Sequence, residues 1–170
     1  MKLNYFAYGS NMSLARLRQR VPSADPLGTY CLTAHRLLFH KAGWDDSAKC
    51  DAFATGDHGD VVMGVVYRME SQHKSRLDAA EGLGAGYEEK TVVVTNTLGS
   101  RQQAFLYYAT HIDEQLMPYS WYLDHVLTGA REARLPAQYV QQIHAVTARE
   151  DTDRERDTRE RVIHRQRRGN

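Results

Sequence analysis

The stretch YFAYGSNM, Tyr5 to Met12, lies close to the start of the chain. A short apolar and aromatic run, Leu3 to Tyr8, reads as a β-strand that stops abruptly at Gly9-Ser10-Asn11. The amphipathic segment SLARLRQRV then reads as a helix over residues 13–20. Asn11 or Ser13 can cap that helix, because a short side-chain oxygen satisfies an orphan N–H of the first turn. Gly9 permits a backbone shape that is costly for other residues. Successive N–H groups in such a turn, feeding a helix start, form a concavity suited to a carboxylate or an oxyanion. The plainer alternative is an ordinary strand–turn–helix connection with a good cap.

Working outward, PSADPLG breaks the first helix, and TYCLTAHRLLFH, residues 29–40, reads as one strand. Residues 41–59 read as mixed loop with a short strand over 52–55. DVVMGVVYRM is a β-branched, continuous strand bounded by Gly59 and Glu70. In SQHKSRLDAAEG, Ser71 is placed to cap a helix and Gly82 to terminate it. YEEKTVVVTNT and RQQAFLYYAT are two strands joined at LGS, a hairpin signal. Pro118 opens a helix that Gly129 ends, and Pro136 opens another. Strands outnumber helices in the middle and do not alternate strictly with them, which points to α+β rather than a doubly wound sheet. The buried strands fit a small closed or half-closed barrel with helices on its outside and across its mouth.

The chain of 170 residues fits one domain, residues 1–147, followed by a charged tail over 148–170. That tail carries eight arginines, six acids and almost nothing apolar. It reads as an exposed helix laced with opposite charges or as disorder, with Val162 and Ile163 able to dock it. The net charge of +1 argues against nucleic-acid or membrane partners recruited by bulk charge. No run approaches the ~18 apolar residues of a membrane span, and the N-terminal run is too short for a signal peptide. Cys31 and Cys50 match no zinc pattern and no disulfide framework. These features predict a soluble cytoplasmic protein with reduced thiols.

Glu81 is the second chemical candidate. It falls in the last turn of the predicted 71–82 helix, where the negative end of the helix dipole disfavours the charged form. A placement that breaks a local rule suggests function, and the effect suits a proton carrier working near neutral pH. A solvated surface glutamate is the ordinary alternative. The eight histidines never pair at i, i+3 or i+4, so no metal site is expected. GLGAG follows a helix and lacks a Lys-Ser/Thr, so it is no nucleotide loop. Ser10 has no nucleophile-elbow frame. Tyr107, Tyr108, Tyr119 and Tyr122 cluster on one strand and the next helix, chiefly as packing residues, with one or two able to face a pocket.

YFAYGSNM, then GVVYRM, then LDAAEGLGAGYEE, and later GAREARLPAQYVQQI, together resemble the gamma-glutamylcyclotransferase family over residues 3–147. The resemblance implies a small mixed β-barrel with flanking helices. It implies a reaction in which the α-amine of a γ-glutamyl group attacks its own γ-carbonyl, releasing 5-oxoproline and an amino acid or amine, with no metal, cofactor or water consumed. The family's catalytic glutamate falls on Glu81, which would take a proton from the substrate ammonium and pass one to the leaving amine. The loop Tyr5, Phe6, Ala7, Tyr8, Gly9, Ser10 matches its substrate-binding segment, and Asn11 completes the motif or caps the helix. Tyr122 matches a binding tyrosine, and Tyr107 another, with Tyr108 beside it as the alternative. The loop GLGAGY brings Tyr87 one residue closer to Glu81 than in the animal type, on what would be the leaving-group side. The tail beyond residue 148 has no counterpart in the resemblance.

The implied partner is a small γ-glutamyl substrate, with a homodimer possible. Two competing readings use the same scaffold. One is an amide hydrolase or acyltransferase in which Glu81 activates water or an external amine. The other is a binding module for γ-glutamyl-type ligands without turnover.

Overall fold

The computed structural model describes residues 1–164. Seven strands run Lys2–Ala7 (β1), Asp25–Thr33 (β2), His35–Ala42 (β3), Ala48–Ala54 (β4), Val61–Glu70 (β5), Tyr87–Thr95 (β6) and Arg101–Ala109 (β7). Five helices run Leu14–Arg20 (α1), Lys74–Glu81 (α2), Ser120–Glu132 (α3), Ala137–His144 (α4) and Arg154–Val162 (α5). Five strands close a barrel in the order β1-β5-β2-β6-β7, and β3 with β4 forms a separate hairpin. Closure comes from a parallel contact of Tyr5 with Phe105, while the other barrel pairings are antiparallel. The α+β reading and the mixed barrel therefore hold, and closure removes the open edges of the five-stranded sheet.

Three boundaries differ from the sequence reading. Residues 29–40 do not form one strand. Ala34 sits at φ 59, in the left-handed region, and turns the chain from the barrel strand β2 into the hairpin strand β3. The short strand expected at 52–55 within the 41–59 loop is longer and begins earlier, because β4 pairs with β3 from Ala48 to Ala54. Gly129 does not end α3, which continues to Glu132. Gly129 is there for a close approach instead: a Cβ at this position would lie 2.4 Å from the Ser13 backbone nitrogen. The helix crosses the Ser10–Met12 turn at that point.

The part of the tail that is described docks as α5, and it docks by charge. Arg16 and buried His125 both reach Glu160, and Arg161 reaches Asp124 and Ser120. Upstream, Trp121 donates to Asp151 at 2.8 Å, and the Arg156 guanidinium forks onto the same carboxylate. Backbone bonds join Ser120 N–H to the Arg149 carbonyl and Arg149 N–H to the Pro118 carbonyl, so the chain stays packed across residue 148. Val162 is exposed, not a hydrophobic anchor. No helix among the described residues is long and apolar enough to cross a membrane.

Candidate active site

The site lies where β1 leaves the barrel, with α2 and α3 closing over it. Tyr5, Tyr8, Gly9, Ser10, Asn11, Cys50, Glu81, Tyr87, Tyr107 and Tyr122 enclose a small inner cavity of about 20 Å³. Strand alternation separates Tyr5 from Phe6. Tyr5 faces the cavity, whereas Phe6 points to the opposite face, and neither Phe6 nor Ala7 is among its walls. The same alternation selects Tyr107 over Tyr108: Tyr107 lines the cavity, and Tyr108 lies on the outer face under the Lys90 ammonium.

Glu81 is the last residue of α2, and Gly82 at φ 73 ends the helix beside it. The sequence reading set the negative helix end against the Glu81 carboxylate but supplied no counterion. Arg20, at the end of α1, donates to Glu81 Oε1 at 2.9 Å, and Asn11 Nδ2 donates to the same oxygen at 2.8 Å. Both contacts fix the position of that oxygen. Arg20 also donates to Asn11 Oδ1 at 2.8 Å, which fixes the amide's orientation. Asn11 Nδ2 further reaches the Tyr5 hydroxyl at 3.1 Å. Asn11 therefore serves the site, and the helix is capped by Ser13, whose hydroxyl accepts from Arg16 N–H. Glu81 Oε2 has no hydrogen-bond partner among the described residues.

The remaining titratable walls are neutral donors. Burial first, then the nearby acids and phenols, raises Tyr5, Tyr8, Tyr87, Tyr107 and Tyr122 above the ordinary tyrosine range. Burial likewise pushes the Cys50 thiol up to about 12. Glu81 supplies the one carboxyl group among the walls of the inner cavity. Tyr122 is held by the Cys50 backbone N–H, which donates to its hydroxyl at 3.0 Å, and Tyr107 donates to Asp78 at 2.5 Å. Gly9 lets these walls meet, since a Cβ there would lie 2.9 Å from the Cys50 side chain and 3.6 Å from the Tyr122 hydroxyl.

An outer cleft of about 280 Å³ shares Ser10, Glu81, Tyr87 and Tyr122 with the inner cavity. The inner cavity holds about one water, so a larger ligand reaches Glu81 from this cleft. Its walls add Arg16, Arg20, Lys41, Lys49 and Arg156, with Trp44 at the rim. Sequence reasoning missed Arg20, Cys50 and Lys41. Arg20 carries a readable sign, a cation ending a helix next to the Gly-Ser-Asn turn, but its partner is 61 residues away along the chain.

The model of the AIG2-like family matches residues 61–143. Gamma-glutamylcyclotransferase of Bos taurus is 30% identical over 145 residues, covering 84% of this chain and 77% of that protein. The chain belongs to the gamma-glutamylcyclotransferase family. The Homo sapiens member is also 30% identical, over 94% of this chain and 86% of its own length. A solved gamma-glutamyl cyclotransferase superposes with a TM-score of 0.85 at 27% identity, covering 96% of this chain and 98% of that one. That coverage is too wide to stop at residue 147, so part of the segment without a counterpart in the sequence resemblance superposes on that structure.

Proposed function

We propose that this member of the gamma-glutamylcyclotransferase family converts a γ-glutamyl amide into 5-oxoproline and a free amine, with Glu81 as the proton carrier. One observation carries the assignment. Glu81 has one oxygen fixed by Asn11 and Arg20 and the other without a partner among the described residues, beside a cavity whose other titratable walls stay protonated. A carboxylate held by one oxygen is oriented yet keeps a lone pair for substrate.

The chemistry balances without water. Glu81 takes a proton from the substrate's α-ammonium. The freed nitrogen attacks the γ-carbonyl carbon, the ring C–N bond forms, and the carbonyl electrons move to oxygen. Collapse of that oxyanion breaks the original amide C–N bond, the departing nitrogen receives the proton from Glu81, and the ring nitrogen gives up its second proton by the same carboxylate, so that the amine leaves as an ammonium and the lactam keeps one N–H. Proton transfer by a placed carboxylate contributes ~10²–10⁴ in rate. The Tyr5 and Tyr122 hydroxyls, which accept from Asn11 and from the Cys50 N–H, and the N–H groups that open the Ser10–Met12 turn are donors available to the substrate carboxylate and to the oxyanion, and a single oxyanion donor is worth about 10²–10³.

The test is a panel of γ-glutamyl dipeptides, γ-glutamyl-lysine and γ-glutamyl alkylamines, with 5-oxoproline read by mass spectrometry for wild type and Glu81→Gln. Wild type forms 5-oxoproline from at least one member, and Glu81→Gln loses it by about 10³ or more, within the range of acid–base and orientation effects. Free glutamate in place of 5-oxoproline would indicate a hydrolase. Equal activity of the glutamine variant would remove Glu81 from the chemistry.

A further inference from the structure

Five tyrosines wall the inner cavity, and the protons of three are already spent on the protein. Tyr8 donates to the Tyr107 carbonyl and Tyr87 to the Cys50 carbonyl, both at 2.5 Å. Tyr107 differs, because its hydroxyl donates to a side chain, Asp78 Oδ1, at 2.5 Å. Asp78 is not itself a wall of the cavity. It lies on α2, three residues before Glu81. Its backbone carbonyl accepts the Gly82 and Leu83 N–H groups at 2.9 and 3.0 Å, the bonds that end the helix beside Glu81. Its carboxylate also pairs with Lys74, which reaches Glu89 at 2.5 Å and holds its ammonium 5.3 Å from the centroid of the Tyr107 ring. Asp78 thus ties the turn that carries Glu81 to β7, and it sets the direction of the Tyr107 proton.

A phenolic hydroxyl carries one proton and otherwise only lone pairs. A hydrogen bond to a carboxylate is roughly twice as strong as one between neutral groups, so the Tyr107 proton stays on Asp78 when a ligand enters. Tyr107 therefore meets that ligand as an acceptor. Tyr5 and Tyr122 are the opposite case, since their oxygens accept from the protein and their protons remain free to give. In a γ-glutamyl group the carboxylate and the carbonyl accept, and the α-ammonium is the charged donor. Resting on the cyclotransferase reading, we propose that Asp78 is a positioning residue: it makes Tyr107 an acceptor for the substrate's α-ammonium, and Tyr107 holds the N–H that the lactam keeps while Glu81 takes the other two protons. The attacking nitrogen is then fixed from two sides, by a carboxylate that removes protons and by a phenol oxygen that does not.

The experiment titrates γ-glutamyl-L-alanine and glutaryl-L-alanine, the same molecule with the α-ammonium replaced by hydrogen, into the Glu81→Gln protein by calorimetry. Adding Tyr107→Phe weakens the dipeptide by about 10–100-fold, the range of a hydrogen bond to a charged group, and leaves glutaryl-L-alanine unchanged. Asp78→Leu gives the same selective loss, and the two changes together cost no more than either alone, the mark of residues acting as one unit. Asp78→Asn keeps an acceptor oxygen for Tyr107 but loses the charge that pairs with Lys74, so it retains most of the selectivity; a role confined to the Lys74 ion pair predicts that Asn fails as Leu does. Equal weakening of both compounds, additive losses, or no binding of either to folded Glu81→Gln overturns the proposal. Should Asp78→Leu not fold, the Tyr107→Phe comparison decides alone. The binding readout needs no turnover, so absence of 5-oxoproline from γ-glutamyl-L-alanine with the wild-type protein counts separately, against the cyclotransferase reading.

Discussion

Replacing Gly129 by alanine sets two opposing effects against each other, and their magnitudes give the sign. Alanine favours a helix interior over glycine by about 1 kcal/mol, so on propensity alone the variant gains stability. The new Cβ, however, would lie 2.4 Å from Ser13 N, 2.5 Å from Met12 Cβ and 2.6 Å from Met12 C. Optimal carbon contacts lie near ~3.5–4.0 Å, so the overlap exceeds about 1 Å, and two of the three atoms are backbone that no rotamer change can move. Overpacking of this kind costs about 1–3 kcal/mol or more. With the overlap this large the cost falls at the upper end of that range, and the variant is less stable by about 2 kcal/mol, read as a lower urea midpoint with unchanged slope. The relief available is for α3 and the Ser10–Met12 turn to separate by about 1 Å, carrying Asn11 with the turn. The Asn11 to Glu81 contact of 2.8 Å would then open past hydrogen-bond range, and a misplacement of ~1 Å costs about 10² in rate. Initial rates of 5-oxoproline formation on the best substrate measure that loss. A Gly129→Ala protein that unfolds at higher urea and turns over at the wild-type rate would refute the packing argument and leave propensity as the governing effect.

Asn11→Leu removes one of the two donors to Glu81 Oε1 and one partner of the Tyr5 hydroxyl; kcat/KM falls by about 10²–10³, on the scale of a lost active-site donor, with the fold retained by circular dichroism. Tyr107→Phe lowers activity and Tyr108→Phe does not, because only the former side chain faces the cavity; equal effects in steady-state assays would contradict the strand register. Folding stability, read by urea midpoints, rises with pH between about 4 and 6.5. Burial holds His125 down to about 4 from an ordinary 6.5, so the unfolded chain binds more protons across that window. The slope shrinks in His125→Gln, and a stability flat or falling with pH there would contradict the sign. A second decline belongs to Glu160 below about pH 4.5. Burial alone would raise this carboxyl, but the His125 hydrogen bond and the Arg16 guanidinium outweigh it and hold it at about 2. Stability is therefore lost as pH falls from 4.5 towards 2, and α5 signals report it first, since Glu160 joins α5 to His125 and Arg16.

Local rules determined a good deal by themselves. The strand that stops at Gly9-Ser10-Asn11, the β-branched run of β5, the β6–β7 hairpin and the helix between Ser71 and Gly82 are each written in contiguous residues, through period, caps and turn chemistry. Glu81 could be singled out because its position at a helix end violates a local electrostatic preference. Pairing across distance was not legible. Period-2 patterning cannot say that Ala34 breaks one apolar run into strands of two different sheets, or that Gly129 is a contact point and not a stop. It cannot say whether Tyr107 or Tyr108 faces inward until the register of β7 against β1 and β6 is set. Arg20 and Lys41 look like ordinary surface cations in the sequence. Only closure of the barrel and packing of α1 and α2 bring one onto Glu81 and set the other over the Tyr87 ring. The physical reason is common to all of these cases. Caps and periods depend on neighbours within a turn or two of chain, whereas the charge state and orientation of a side chain depend on whatever the fold places within a few ångströms of it.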